Sequence, residues 1–265
     1  MRVAVLGGGV MGETLASGLL RRMNPRPSVV VSEKRRERGE ELQARHGVDL
    51  ADPAAAVAGA DVILLAVKPQ DVGGLLDDIS GIVLADALVI SVCAGITTAF
   101  IEERLPAGIA VVRAMPNTPA RVDRGTTGVS PGAACPPSSL ATAVSLLESV
   151  GAVVEVPEAL QDAVTAVSGS GPAYLFYLAE AMIDAGVDLG LDPATAQRLV
   201  HSTLLGAAVL LDASAETAEE LRRNVTSPNG TTAAAISTMD RLGVRQSVVS
   251  AITAARDRSR ELSGG

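Results

Sequence analysis

Val3-Ala4-Val5-Leu6-Gly7-Gly8-Gly9-Val10-Met11-Gly12 is the stretch of this 265-residue chain whose reading decides the fold. A short apolar run, rich in β-branched side chains, ends in glycines and opens into a helical pattern carried by Met11, Leu15, Leu19 and Leu20. Gly7, Gly9 and Gly12 supply the spacing G-x-G-x-x-G at that strand-to-helix junction. There the first glycine permits a tight turn, the second lets backbone approach a pyrophosphate, and the third lets the helix pack close to the strand. Free N–H groups and the positive end of the helix dipole then face the phosphates. Glycines also collect at ordinary turns, so the spacing alone is weak. Its place directly after a strand and before a helix makes Gly7, Gly8, Gly9, Val10, Met11 and Gly12 candidate dinucleotide contacts.

Outward from this junction, short apolar runs alternate with helical stretches to about residue 155, the pattern of a mostly parallel α/β sheet. Strands are expected at residues 28–32, 62–67, 87–92, 110–114 and 151–156. Residues 35–45 read as a charged helix ended by Gly47, and residues 138–149 as another helix. Residues 116–137 are rich in proline and glycine and read as a connecting region. Beyond Glu158 the strand-like runs stop and helices fill the chain. Asp192 reads as an N-cap with Pro193 at the first helical position. The predicted division is a Rossmann-type domain at 1–158 and a helical domain at 159–265.

Composition narrows the class. The chain is 48% hydrophobic but 2% aromatic, with no Trp, so its core is built from Ala, Val, Leu and Ile. A net charge of −8 argues against nucleic acid or an anionic membrane as partner, and requires local donors for any anionic ligand. Cys93 and Cys135 give neither a disulfide framework nor metal-ligand spacing, which fits a reducing compartment and no metal site. The start at Met1-Arg2-Val3 reads as part of the first strand, so no signal peptide is expected. No apolar run reaches membrane-spanning length, and the expected location is cytoplasmic. The helices at 172–186 and 193–211 are apolar over more than one stripe, with Ala207-Ala208-Val209-Leu210-Leu211 as an example. A helix apolar all round is buried, so a homo-oligomer built on this region is expected.

Several constellations sit where such folds do chemistry. The end of the second strand selects the cofactor and reads Ser32-Glu33-Lys34-Arg35. An acid there accepts a ribose 2′-OH; a hydroxyl with cations holds a 2′-phosphate. Ser32, Lys34 and Arg35 lean the reading to NADPH, while Glu33 keeps NADH open. Ala66-Val67-Lys68-Pro69 and Cys93-Ala94-Gly95 close two further strands at the carboxyl edge of the sheet. Lys68 reads as a cofactor contact and Cys93 as a small apolar lining residue. Met115-Pro116-Asn117-Thr118-Pro119 ends another strand, and its rigid backbone makes Asn117 a candidate nicotinamide platform. In the helical half, Ser168-Gly169-Ser170-Gly171-Pro172 and Ser227-Pro228-Asn229-Gly230-Thr231-Thr232 each run into a helix. Both read as small-residue turns at a positive helix end, suited to cradling a carboxylate. Of the two histidines, His46 reads as exposed and His201 as structural. No general-base Lys or His stands out, so the pattern favours a substrate that needs little acid–base help, such as an imine.

Together these motifs resemble the pyrroline-5-carboxylate reductase family. The resemblance rests on residues 7–12, Ala66-Val67-Lys68-Pro69-Gln70, Met115 to Pro119, Asp162-Ala163-Val164-Thr165 with Ser168 to Tyr174, and Ser227 to Thr232, all in order. It implies reduction of L-1-pyrroline-5-carboxylate to L-proline with NADPH, or NADH in some members. It also implies a helical domain that makes a homodimer, often assembled into a decamer. By similarity Ser32, Ala66, Lys68, Cys93 and Ala94 line the cofactor. Asn229, Gly230 and Thr231 would cradle the substrate carboxylate, and Thr232 would hydrogen-bond the ring nitrogen as the candidate catalytic residue. Thr165 and Ser168 would touch the substrate. Gly12 stands where many members have Ala, Pro53 where some have Asn, and Asn229 where Gly is common. The residues leave two alternatives open: another two-domain imine or β-hydroxyacid reductase, and a non-catalytic NADPH-binding oligomer.

Overall fold

A computed structural model describes residues 1–262. The first part of the chain contains β1 (Arg2–Leu6), α1 (Val10–Arg22), β2 (Ser28–Ser32), α2 (Arg36–His46), β3 (Asp49–Leu50), α3 (Pro53–Val57) and β4 (Val62–Leu65). It continues through α4 (Pro69–Ile79), β5 (Leu88–Ser91), α5 (Thr98–Glu102), β6 (Ala110–Met115), β7 (Gly125–Pro131), α6 (Pro137–Leu147) and β8 (Gly151–Glu155). After α7 (Gln161–Val164) comes a π-helical turn, Thr165–Gly169. Helices α8 (Gly171–Asp188), α9 (Pro193–Ala213), α10 (Ala218–Asn224), α11 (Thr231–Arg241) and α12 (Val244–Leu262) follow. The fold is an α/β Rossmann-type sheet followed by an all-α region.

The eight strands form one sheet in the order β3-β2-β1-β4-β5-β6-β7-β8. Every pairing is parallel except β6 with β7. A parallel sheet is covered on both faces, so its strands must be apolar throughout. Period-two alternation then divides them: Val3, Val5, Leu64 and Ile90 join Leu15 and Leu19 of α1 and Leu146 of α6 in one core. Ala4, Leu6, Ile63, Leu65 and Val89 join Val72, Leu76 and Ile79 of α4 in the other. Each such fully buried Leu or Ile contributes about 1.5–3 kcal/mol. Helix α2 ends as its sequence directs, with Gly47 at φ +67° donating to the Gln43 carbonyl at 2.8 Å.

The structure differs from the sequence reading in this half at two strands, the two-residue β3 (Asp49–Leu50) and β7. Residues 116–137 are not merely connecting: β7 runs through them, after a short 3-10 turn at Thr118–Val122. Its small, polar sequence hides it, yet Thr127, Val129 and Ser130 are buried.

The chain divides into two compact units. One holds residues 1–170 with the end of α12 from Ala255; the other is Gly171–Ala254. Residues 159–170, which the sequence groups with the helical half, pack onto β7. Fully buried Gln161 donates through Nε2 to Ser130 Oγ at 2.8 Å and to the Gly128 carbonyl at 3.3 Å. Gly128 leaves room for Val164: a Cβ there would stand 2.6 Å from its Cγ1. In the second unit Asp192 caps α9 as expected, accepting from Thr195 N at 3.1 Å with Pro193 in the first turn.

Candidate active site

The chain leaves β1, builds outward through β2 and β3, and returns to place β4 on the other side of β1. Such a reversal opens a crevice at the carboxyl ends of the two strands, where open α/β sheets bind ligands. Gly7 follows β1 and Ala66 follows β4, with Leu6 and Leu65 in register. A groove of about 860 Å³ lies there, lined by Gly7, Gly9, Ala66, Val67 and Lys68 on one side and by residues 32–35 on another.

The glycine loop is built by contact and conformation together. Gly7 has φ +109°, and a Cβ on it would stand 2.5 Å from the Ala66 carbonyl oxygen. A Cβ on Gly12 would overlap the Gly7 carbonyl, so α1 can approach β1 this closely only with glycine at that position. Gly9 differs: a Cβ there would meet nothing within 4 Å. It would project into open space at the start of α1, whose N-cap is Gly9 and whose first turn has no side-chain cap. A pyrophosphate needs that open position and those free N–H groups. Gly8 faces the protein: a Cβ there would stand 2.6 Å from Leu42 Cδ1 and 3.1 Å from Glu33 Oε2.

The rim at the end of β2 carries both charges. Glu33 Oε2 accepts from the Gly8 N–H at 2.9 Å, while Oε1 accepts from the Arg35 N–H at 3.0 Å and Nε at 3.1 Å. Burial alone would raise the Glu33 carboxyl, but the bonds from Arg35 and Gly8 outweigh it and hold it below the usual carboxylate range. Lys34, highly exposed, pairs with Asp71 at 3.3 Å. The Gly8 carbonyl accepts from Arg38 Nε at 3.0 Å, so the Gly8 peptide is held at both ends. Arg38 also pairs with Glu13 of α1, which accepts from Arg45 at 2.7 Å and meets His46 Nε2 at 2.9 Å. Burial opposes ionisation of Glu13, but His46, Arg38 and Arg45 together lower its pKa to about 2. His46 is therefore not an exposed helix end: the ring is half-buried against Glu13.

The other expected cofactor residues are placed in different ways. Ser32, Lys34, Arg35, Ala66, Val67 and Lys68 line the groove with Gly7 and Gly9. Val10 and Met11 open α1, and Pro69 opens α4, with Lys68 as its N-cap. Ala94 and Gly95 lie beyond β5, with Ala94 exposed. Cys93 is buried, its Sγ 3.3 Å from both the Leu65 and Val67 carbonyls, which share its single S–H, and burial pushes its pKa to about 11. It ties two strand ends together and is not among the groove-lining residues. Asn117 is likewise committed: Oδ1 accepts from Thr126 N at 2.9 Å, and Nδ2 donates to the Ser168 carbonyl and hydroxyl at 3.2 Å. The sequence missed Gln70, Asp71, Gly74 and Leu75, which bring α4 to the groove wall. Pro69 at a first helical position, with Val72, Leu76 and Ile79 at helical spacing, is the signal that marks α4.

The two turns expected to cradle a carboxylate differ. Ser168 to Pro172 does run into a helix, α8 from Gly171, but Thr165–Gly169 ahead of it is a π-helical turn, and Ser170 N donates to the Thr165 carbonyl at 2.8 Å. Thr165 donates its hydroxyl to the Gln161 carbonyl at 2.9 Å, which leaves its oxygen free to accept. In the second unit, Ser227 to Thr232 does begin a helix. Gly230 is the N-cap of α11, without a side-chain cap, and Asn229 holds φ +60°. Asn tolerates that left-handed conformation better than other side chains, so it replaces a glycine there at little strain. Thr232 lies half-buried in the first turn.

Comparison with known proteins covers the whole chain. Residues 158–262 match the family model described as "Pyrroline-5-carboxylate reductase dimerisation", and residues 2–95 that described as "NADP oxidoreductase coenzyme F420-dependent". A pyrroline-5-carboxylate reductase of Corynebacterium melassecola is 44% identical, over 98% of this chain and 98% of that protein. The solved pyrroline-5-carboxylate reductase of Coxiella burnetii matches with a TM-score of 0.92 at 34% identity, covering 98% of each chain. The Plasmodium falciparum pyrroline carboxylate reductase, solved with NADP bound, matches with a TM-score of 0.87 at 26% identity, over 99% of this chain and 98% of that one. From the glycine loop to the start of α11, this chain belongs to the pyrroline-5-carboxylate reductase family.

Proposed function

We propose that the protein reduces L-1-pyrroline-5-carboxylate to L-proline with NADPH, NADH serving as the second donor. The observation that carries this reading is the match along the whole chain to reductases of that substrate, because a glycine loop alone serves many reactions. The loop fits the cofactor: Gly9 is open where a pyrophosphate must sit, and α1 presents uncapped N–H groups beside it. When bound, the dinucleotide supplies the hydride that adds to C5 of the imine. A protonated cyclic imine is already an electrophile, so the protein's work is positioning.

The start of α11 would hold the substrate carboxylate. The first N–H groups of a helix lie outside its ladder, and no side chain caps them here. Asn229, Gly230 and Thr231 shape that turn, and Thr232 would hydrogen-bond the ring nitrogen, its hydroxyl oxygen accepting from the N–H of the protonated imine and so orienting the ring. Thr165 would accept from the substrate, since its own proton is committed, and Ser168 would sit beside it, held by Asn117. The helical part from residue 159 would form the homodimer, with a decamer as the larger assembly, in the cytoplasm. Replacing Thr232 with Ala tests the assignment: kcat falls at least tenfold while the NADPH Kd changes little. An unchanged kcat removes Thr232 from the mechanism.

A further inference from the structure

We propose that Glu33 braces the dinucleotide loop, and that Arg35, held by Glu33, selects cofactors carrying a 2′-phosphate. This rests on the dinucleotide reading above and deepens it. An acid at the end of the second strand ordinarily accepts the ribose hydroxyls of NAD. Glu33 occupies that position, but its oxygens are already engaged: Oε2 by the Gly8 amide, Oε1 by both the backbone and the side-chain Nε of Arg35. A carboxylate offers about four acceptor sites. Three bonds leave too little to receive two donors from a vicinal diol without breaking the brace. Only 10% of the Glu33 side chain is exposed, which further limits its reach.

What Glu33 gives up as a reader it gains as a support. The Gly8 peptide lies between two side chains from the β2–α2 segment, with Glu33 taking its N–H and Arg38 donating to its carbonyl. That fixes the turn whose neighbour, Gly9, stays open. The same carboxylate holds Arg35 by its Nε, and the two terminal nitrogens of that guanidinium have no partner among the described residues. Arg35 is 69% exposed at the groove rim, with Ser32 and Lys34 beside it. A planar fork suits a phosphate better than a diol, and Glu33 engages only the Nε of this one.

Titration calorimetry with two adenosine fragments, 2′,5′-ADP and 5′-AMP, tests this without any turnover. The native protein should bind 2′,5′-ADP at least about tenfold more tightly, the scale of one charge-assisted contact. In Arg35→Gln the preference should shrink toward unity with 5′-AMP affinity kept. Glu33→Gln should weaken both fragments by several fold, 2′,5′-ADP at least as much as 5′-AMP. A Glu33→Gln protein that loses 5′-AMP alone, or gains 2′,5′-ADP, would show that the acid reads the diol and overturns the proposal. Equal binding of both fragments by the native protein also overturns it while leaving the dinucleotide site standing. Binding of neither overturns it together with the dinucleotide reading. Thermal melting of each variant separates a lost brace from a lost fold.

Discussion

The sheet unit and the helical unit solve burial in opposite ways. In the first, Leu6, Leu15, Ile63, Leu64 and Ile90 are at most 1% exposed, and both faces of the sheet are covered by the chain's own helices. In the second, α8 and α11 bury no residue, and α9 buries only Ala196 and Val200. Tyr177 stands 76% exposed, Leu205 69% and Val209 59%. An exposed apolar surface that runs over several helices marks an interaction site, and residues 158–262 match a dimerisation family. The lesson is that the cofactor half is a complete domain in one chain, whereas the helical half reaches a full core only with a second copy.

That contrast breaks most sharply at α9. Replacing both Leu205 and Val209 with Glu should convert the dimer to monomer in sedimentation velocity and abolish activity, because unpaired carboxylates would be buried at the contact. Persistence of the dimer would move the interface elsewhere. Leu64→Ala should do the reverse: about 2–5 kcal/mol of stability lost from the cavity it leaves, with the oligomeric state unchanged.

Inside the cofactor half, two glycines should separate binding from folding. Gly9→Val places its side chain in open space, so melting stays near native while NADPH affinity, read by fluorescence titration, falls by orders of magnitude. Gly12→Ala drives a methyl onto the Gly7 carbonyl, so stability drops by about 1–3 kcal/mol together with affinity. Equal behaviour of the two variants would contradict the roles assigned to them.

Acid should act on the sheet unit through Glu13. Its folded pKa of about 2 lies below the ordinary 4.5, so its stabilisation is complete above about pH 4.5 and is lost as pH falls toward 2. Urea unfolding from pH 5 to pH 3 should show native stability falling more steeply than that of Glu13→Gln. Matching slopes would mean the cluster with Arg38, Arg45 and His46 does not hold the proton off. The smallest effect concerns the thiols. Cys93, pushed up to about 11 by burial, should resist iodoacetamide at neutral pH, and half-buried Cys135 should label first. Prior labelling at Cys93 would mean that β4 and β5 part at their ends.

Much of the sheet unit was legible because its strands are apolar runs that stop at Gly, Pro or a charge. Leu6-Gly7, Val67-Lys68-Pro69 and Cys93-Ala94-Gly95 each carry that punctuation. Strand β7 was not, because Gly125-Thr126-Thr127-Gly128 reads as turn chemistry until β6 and β8 pair with it. The glycine fingerprint announced the groove, but the state of Glu33 depends in part on the Gly8 amide 25 residues away, a contact with no local signature. Asn117 looked free for a ligand for the same reason, its partners Thr126 and Ser168 being distant in sequence. The start of α11 was readable from its small residues, whereas the π-helical turn at Thr165–Gly169 leaves no compositional mark.

The most direct test of the central claim is isotopic. NADPH bearing deuterium at C4 of the nicotinamide, on the face that is transferred, is mixed with the purified protein and L-1-pyrroline-5-carboxylate. The proline is then examined by NMR. Deuterium at C5 of L-proline, with one NADPH consumed per proline formed, is the result the account predicts. Protein that binds NADPH yet forms no proline, or forms it without deuterium at C5, would contradict it.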